Sequence, residues 1–373
     1  MYKLLVLNER WCSGGVESLW ANLLSFMPQS AFEVVVLVWQ KETDIYDDLL
    51  KKKNVRIVVM GDGEIYHPIK RDLLILHSLK KYFDAEKADI IHINVCNAIG
   101  LKYAKIAYKS GCKHVVVHSH NTKIEHDAFR IKLFMHYIMR ALYTDKNTDY
   151  IACSREAGTF MFGKKRPFRL FKNGINTERF LYNEEKRLFF RKKYHLDEQD
   201  FVICHVGRFA EQKNHEYLIK LFSVIKNQYQ DSYLFLIGEG PEKSHICDLV
   251  KENGLENSVI FMGTVNNVEN IYFMSDCFIL PSLHEGLPVV AIEAQATGLN
   301  TYLADTISRE TCLTEHCHFF SLDDKPDNIA KMVLQNRNCL QRVDAINSII
   351  KAGYSIEEES HNLFKKYQEL LET

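Results

Sequence analysis

Short apolar runs alternate along this chain with longer stretches whose apolar residues recur at helical spacing. Lys3–Leu7, Phe32–Val38, Val55–Met60, Ile90–Val95, Val115–His118 and Tyr150–Ala152 each read as a buried strand. Helical stretches such as Leu73–Phe83 and Ala98–Ser110 lie between them. That alternation predicts a parallel sheet with helices on both faces. A turn cluster, Lys172-Asn173-Gly174-Ile175-Asn176-Thr177, then interrupts the pattern. After it, a charged amphipathic helix over Glu184–Tyr194 leads into a second series. Its strands are Phe201–Val206, Tyr233–Ile237, Val259–Met262, Phe278–Leu280 and Leu299–Ala304, with helices over Glu216–Tyr229, Val268–Met274 and Val289–Thr297. The chain closes on Ile356–Leu371, where Ile356, Leu363, Phe364, Tyr367 and Leu370 recur at helical spacing. The pattern predicts an α/β chain of two doubly wound, Rossmann-like domains, 1–172 and 173–355, with a last helix in 356–373. A length of 373 residues agrees, being too great for one ordinary core.

Composition narrows the class. Apolar residues at 46% and charged residues at 25% are ordinary for a soluble globular protein. No run approaches ~18 uninterrupted apolar residues, so no spanning helix is expected. The first residues, MYKLLVLNERW, read as a strand rather than a signal peptide. Ten cysteines are scattered without a CxxC pair, and Cys204 and Cys277 lie in apolar runs. Reduced thiols of that kind point to a cytoplasmic setting. The densest cluster, Cys312, His316, Cys317 and His318, matches no zinc spacing, and no metal site is expected. The net charge of −1 hides an asymmetry: residues 1–170 hold 26 Lys+Arg against 18 Asp+Glu, leaving −9 for the remainder. Two readings stand, a first half that meets an anionic partner such as a membrane surface or diphosphate, and plain surface composition.

The chemistry concentrates in Phe278–Gly298, FILPSLHEGLPVVAIEAQATG. A strand breaks at Pro281, the chain turns through Glu285-Gly286-Leu287-Pro288, and Pro288 suits the first turn of the following helix. Glu285 and Glu293 stand with seven residues between them. A carboxylate accepts two hydrogen bonds from a vicinal diol, while free N–H groups at a helix start suit a phosphate. Glu293 lies within an apolar run, where an unpaired charge is costly, so a mere surface role is disfavoured. Other candidates sit at strand ends. Ser13-Gly14-Gly15-Val16-Glu17 follows the first strand and opens a helix, and His92, Asn94, His118, His120 and Asn121 end two others. Gly207-Arg208-Phe209-Ala210-Glu211-Gln212-Lys213-Asn214 places two cations before a helix. Gly158–Lys164 fits GxxxxGK, but Lys165 replaces Ser or Thr and no strand directly precedes it, so a P-loop is rejected. Residues 123–142 mix Lys123, Arg130, Lys132 and Arg140 with Phe134, Met135 and Ile138. That helix suits either a lipid surface or its own sheet.

EGLPVVAIE resembles the Glu-x7-Glu signature of the family-4 retaining glycosyltransferases, and its flanks LPSLHEGLPVVAIEAQATGL and ADTISRE resemble the exopolysaccharide and capsule branch. GGVE, the histidine loop, the Lys172–Thr177 crossover and the Arg208…Lys213 loop are similar to the family's as well, with Asn176 where an acid is usual and Asn214 where Gly is frequent. The resemblance implies a GT-B fold, two such domains facing a cleft and a last helix crossing back to the first. It implies transfer of a hexosyl unit, with retention, from a nucleoside diphosphate sugar (a UDP-sugar is expected) to a saccharide or lipid-linked saccharide. Arg208, Lys213 and the N–H groups near Gly286, Leu287 and Val289 would hold the diphosphate, with Gly14 and Gly15 closing from the first domain. Glu293 would hold the ribose, Glu285 the sugar, and His120 would orient it, His118 being the second choice. The leaving phosphate would take the acceptor proton. No cofactor and no nucleic acid is implied. The absence of any Asp-x-Asp triplet argues against a metal-chelating architecture. A nucleotide-sugar epimerase of the same fold and a non-catalytic subunit are the rival readings, with a NAD-linked enzyme disfavoured for want of GxGxxG. The expected location is cytoplasmic, with peripheral contact at the inner face of an anionic membrane.

Overall fold

The computed structural model describes residues 1–12, 14–28, 31–64, 67–121, 129–285, 287–337, 342 and 345–372. The chain divides into two compact units, Met1–Gly174 with Ser355–Thr373, and Ile175–Tyr354. Each contains one sheet, and all the pairings within both sheets are parallel.

In the first unit seven strands are β1 (Tyr2–Trp11), β2 (Phe32–Lys41), β3 (Arg56–Val59), β4 (Ile90–Val95), β5 (His114–Ser119), β6 (Asp149–Ala152) and β7 (Arg169–Leu170). Their order is β3-β2-β1-β4-β5-β6-β7. Successive side chains of β1 part to opposite faces, Leu5 and Leu7 into one core and Leu4 and Val6 into another. The first core is covered by helices that include Pro68–Ala85 and Leu101–Lys109. The second is covered by Gly15–Ser25 and by the last helix, Ile356–Leu371. Phe364 meets the Phe32 ring at 5.6 Å, and Ser360 Oγ donates to the Leu23 carbonyl at 2.8 Å. The last helix therefore belongs to the first unit's core.

The second unit has β8 (Phe201–Val206), β9 (Ser232–Ile237), β10 (Val259–Gly263), β11 (Cys277–Leu280), β12 (Asn300–Ala304) and β13 (Cys317–Phe320), in the order β10-β9-β8-β11-β12-β13. Buried Asp276 ties this sheet to the Glu184–Lys193 helix: it accepts from the Val202 amide at 2.7 Å and from Arg187 at 2.6 Å. Strand order reverses between β1 and β4 and again between β8 and β11. Open parallel sheets bind ligands beyond the strand ends at such reversals.

Two strands and one helix cap depart from the expected pattern. The two-residue edge strand β7 gives no apolar run, and β13 lies where the sequence shows only a Cys/His cluster. Among the described residues no group of three or more His, Cys, Asp or Glu side chains is arranged to hold a metal. Pro288 is not inside the helix but caps it, since its ψ of 106° is extended and the helix runs Val289–Ala296. The GxxxxGK stretch is largely the helix Arg155–Phe162, ended by Gly163 at φ +84°. Phe364→Ala removes a side chain that is 1% exposed. It is expected to cost the first unit about 3–5 kcal/mol, with calorimetry showing an earlier transition for that unit and an unmoved one for the second.

Candidate active site

In the second unit the loops beyond β8, β9 and β10 are joined through their backbones. Gly207 N–H donates to Ile237 O at 2.9 Å, Phe209 N–H to Glu239 O at 3.1 Å, and Gly238 N–H to Gly263 O at 2.9 Å. Gly238 is required here, because a Cβ would stand 2.1 Å from Gly207 O. After β8 the chain passes Arg208, makes a single 3-10 turn over Glu211–Lys213 and enters the helix His215–Gln228 through Asn214. Asn214 is left-handed at φ 54°, ψ 49°, which explains the glycine often found at this point in the resembling family.

This loop is fastened to the turn after β11. Leu283 N–H donates to Gln212 O at 2.8 Å, and Gln212 Nε2 donates to His284 O at 2.9 Å. Lys213 Nζ reaches Glu285 Oε1 at 2.5 Å, and Ser282 Oγ donates to the same oxygen at 3.1 Å. The two side chains are 15% and 12% exposed, so each largely neutralises the other away from water. Arg208 is exposed, with no ion-pair partner among the described residues. Leu287 packs against the core beneath, and Val289 opens the helix, whose first amides follow the turn. Gly286 lies outside the described residues.

Glu293, one turn into that helix, is partly buried beside the Tyr272 hydroxyl, which lies 3.2 Å from Oε2. Burial pushes its pKa up to about 7, although Arg179 and the Tyr272 hydroxyl favour the ionised form. Arg179 is held at 2.7 Å by buried Glu269, and its own amide donates to Asn176 Oδ1 at 3.0 Å. Asn176 thus keeps the acceptor oxygen an acid would supply, without its charge. Tyr272, Arg179, Glu269, Ser282 and Gln212 were missed in the sequence. The one available signal was Glu269, a charge next to the apolar run Ile271–Met274.

The first unit holds a separate polar cluster beside the reversal between β1 and β4. His120 Nε2 lies 2.8 Å from Asn94 Oδ1, and the His118 ring lies 4.0 Å from that of His120. Burial lowers the pKa of all three histidines there, His92, His118 and His120, the last to about 3, so they are neutral rings. His118 is wholly enclosed, whereas His120 is partly exposed, which favours His120 over the second choice. Gly14 precedes the helix Gly15–Ser25, and a Cβ on it would stand 2.5 Å from the Glu17 carboxylate, which folds back over the turn. Gly15 has open space around it.

Two such parallel-sheet units are the architecture of the GT-B fold. The fold matches HepE from Anabaena in complex with UDP-glucose, with a TM-score of 0.79 at 17% identity, covering 99% of this chain and all of that one. WaaG, a glycosyltransferase involved in lipopolysaccharide biosynthesis, matches with a TM-score of 0.75 at 16% identity, covering 96% and 99%. Residues 13–179 match the model described as Glycosyltransferase Family 4, and residues 186–331 match Glycosyl transferases group 1. The chain belongs to this glycosyltransferase family. Among named relatives, EpsF of Bacillus subtilis is 29% identical over 80% of this chain and 77% of its own. An Escherichia coli UDP-Gal:alpha-D-GlcNAc-diphosphoundecaprenol alpha-1,3-galactosyltransferase is 25% identical over 81% and 79%.

The raised pKa of Glu293 makes stability depend on pH. Because the folded state holds this proton more tightly than the unfolded chain, the contribution of Glu293 to stability is full below about pH 4.5 and is lost as pH rises to about 7. In urea denaturation at pH 5 and pH 8, the stability of the wild type relative to Glu293→Gln should fall by up to about 3 kcal/mol between the two, a difference from which the opposing contribution of the buried histidines cancels.

Proposed function

We propose that the chain transfers a hexosyl unit from a UDP-sugar, with retention and without a metal, to a hydroxyl of a lipid-linked saccharide in the assembly of a surface polysaccharide. The observation that carries this is the fastening of the Arg208–Lys213 loop onto the Glu285 turn, directly before a helix start and Glu293. Support for the donor and acceptor comes from the galactosyltransferase named above and from HepE with UDP-glucose. Support for the polysaccharide role comes from a Staphylococcus aureus capsular polysaccharide biosynthesis glycosyltransferase, CapH, 22% identical over 79% of each chain.

The roles follow from charge. As the bond between the sugar and the diphosphate breaks, negative charge grows on the leaving phosphate. Arg208, Lys213 and the N–H groups from Leu287 and Val289 stabilise it as preorganised groups, and Gly286, Gly14 and Gly15 are assigned to the same diphosphate. Glu293 accepts from the ribose hydroxyls and Glu285 from those of the sugar, while His120 orients that sugar. Lys213 and Glu285 hold each other in place until donor binds. The leaving phosphate then takes the acceptor proton as the acceptor oxygen bonds to the anomeric carbon. Diol hydroxyls favour ionised Glu293, so UDP-glucose should bind more tightly at pH 8 than at pH 5.5, and Glu293→Gln should flatten that dependence.

Arg208→Ala and Lys213→Ala are each expected to lower kcat by roughly 10²–10³-fold, measured as release of UDP in the presence of acceptor. Wild-type turnover in both variants would remove the clamp, and loss of activity in EDTA would overturn the metal-free reading. Product formed from donor alone would instead indicate an epimerase.

We also propose peripheral contact with an anionic membrane through the helix Phe129–Tyr143. His136 anchors it inward, accepting from the Ala98 amide at 3.1 Å, while Ile131, Phe134, Tyr137 and Leu142 are exposed beside exposed Lys132. Lys123 and the Arg130 side chain lie outside the described residues. Among the described residues no helix is long and apolar enough to cross a membrane. Ile131→Glu with Phe134→Glu should weaken binding to phosphatidylglycerol vesicles at least tenfold, read by co-sedimentation.

A further inference from the structure

Asn94, near the end of β4, is fully engaged. Its Oδ1 accepts from the Trp20 indole N–H at 2.8 Å, and its Nδ2 donates to Leu7 O at 3.3 Å and to Asn8 Oδ1 at 2.6 Å. An indole N–H can only donate and a backbone carbonyl can only accept. These two partners therefore fix which end of the carboxamide is oxygen. The consequence passes to His120: its Nε2, 2.8 Å from that oxygen, must carry the proton. A neutral imidazole has only one N–H, so Nδ1 is a bare lone pair. That atom is buried and has no hydrogen-bond partner among the described residues.

The neighbours do not offer a competing proton. The His118 ring lies against His120 at 4.0 Å with both nitrogens unpartnered among the described residues. His92 shares a 2.6 Å hydrogen bond through Nδ1 with Tyr367 of the last helix. The Cys153 thiol donates to the His120 carbonyl and not to its ring. An unsatisfied buried acceptor is costly, and a ligand hydroxyl that donates to it recovers that cost.

We infer that Asn94 is a positioning residue, which holds His120 as the Nε2–H tautomer so that Nδ1 accepts a hydrogen bond from a hydroxyl of the bound sugar. The tautomer stands on the geometry alone; the sugar contact rests on the transferase reading. Neither Asn94 nor Trp20 needs to touch the ligand. Their effect reaches it through the proton on Nε2.

The experiment is a long-range proton–nitrogen correlation spectrum of the full chain labelled with nitrogen-15. The His120 signals are identified by their loss in His120→Gln. The expected wild-type result is the Nε2–H tautomer from pH 5.5 to 8. An Nδ1–H tautomer or an imidazolium in that range overturns the assignment, and this reading requires no variant of Asn94. Asn94→Leu, checked for native signal dispersion, should give mixed tautomers and lower kcat at least tenfold. A folded variant with an unchanged tautomer and kcat within twofold of wild type overturns the positioning role. Saturating UDP-glucose should move the Nδ1 resonance toward that of a hydrogen-bonded nitrogen. Binding seen by calorimetry without that movement overturns the sugar contact. Absence of binding for any UDP-sugar tested would overturn the donor reading and leave the tautomer standing.

Discussion

The ion pair between Lys213 and Glu285 joins two loops that leave neighbouring strands of the second sheet, and most of the candidate site hangs from it. With 2.5 Å between the charged atoms and little exposure on either side, the pair is much less screened than a surface contact. The hydrogen bonds from Leu283 to Gln212 and from Gln212 to His284 hold the same two loops in register. Leaving one partner buried alone would cost several kcal/mol, so the loops are held to a single arrangement. Arg208, on the same loop but exposed, is presented rather than consumed. The Lys213 pair thus sets the geometry of the loop on which Arg208 is presented.

The same logic appears in the first unit with neutral groups. Burial lowers the pKa of His92, His118 and His120, and among the described residues no nearby carboxylate restores their charge. Orientation there comes from hydrogen bonds with one allowed direction, through Trp20, Leu7 and Asn8 onto Asn94. The last helix takes part, since Tyr367 both packs in the second core of this unit and reaches His92. A segment more than 270 positions away in the chain thus contributes to the polar cluster.

Much of the candidate site was visible in the sequence because the local rules were strict. A strand, a break and a helix containing Glu285 and Glu293 follow from the run of residue types in Phe278–Gly298, and the helix starts at Val289 as expected. Asn214 was visible as a departure, but its left-handed conformation was not, since several backbone shapes suit Asn. β13 escaped because four residues that mix Cys, His and Phe carry no period. Tyr272 and Arg179 escaped for a different reason: nothing near either residue in the chain refers to Glu293.

The sequence alone determined the two parallel α/β units, the helix that ends the chain and the carboxylates, cations and glycines at strand ends. Those depend on local spacing, which apolar periodicity and turn chemistry record directly. Only the tertiary structure decided that Lys213 would meet Glu285, that burial would lift Glu293 and that Asn94 would dictate the proton on His120. Each of these depends on distances and solvent exclusion between residues far apart in the chain, and no run of neighbouring letters encodes either one.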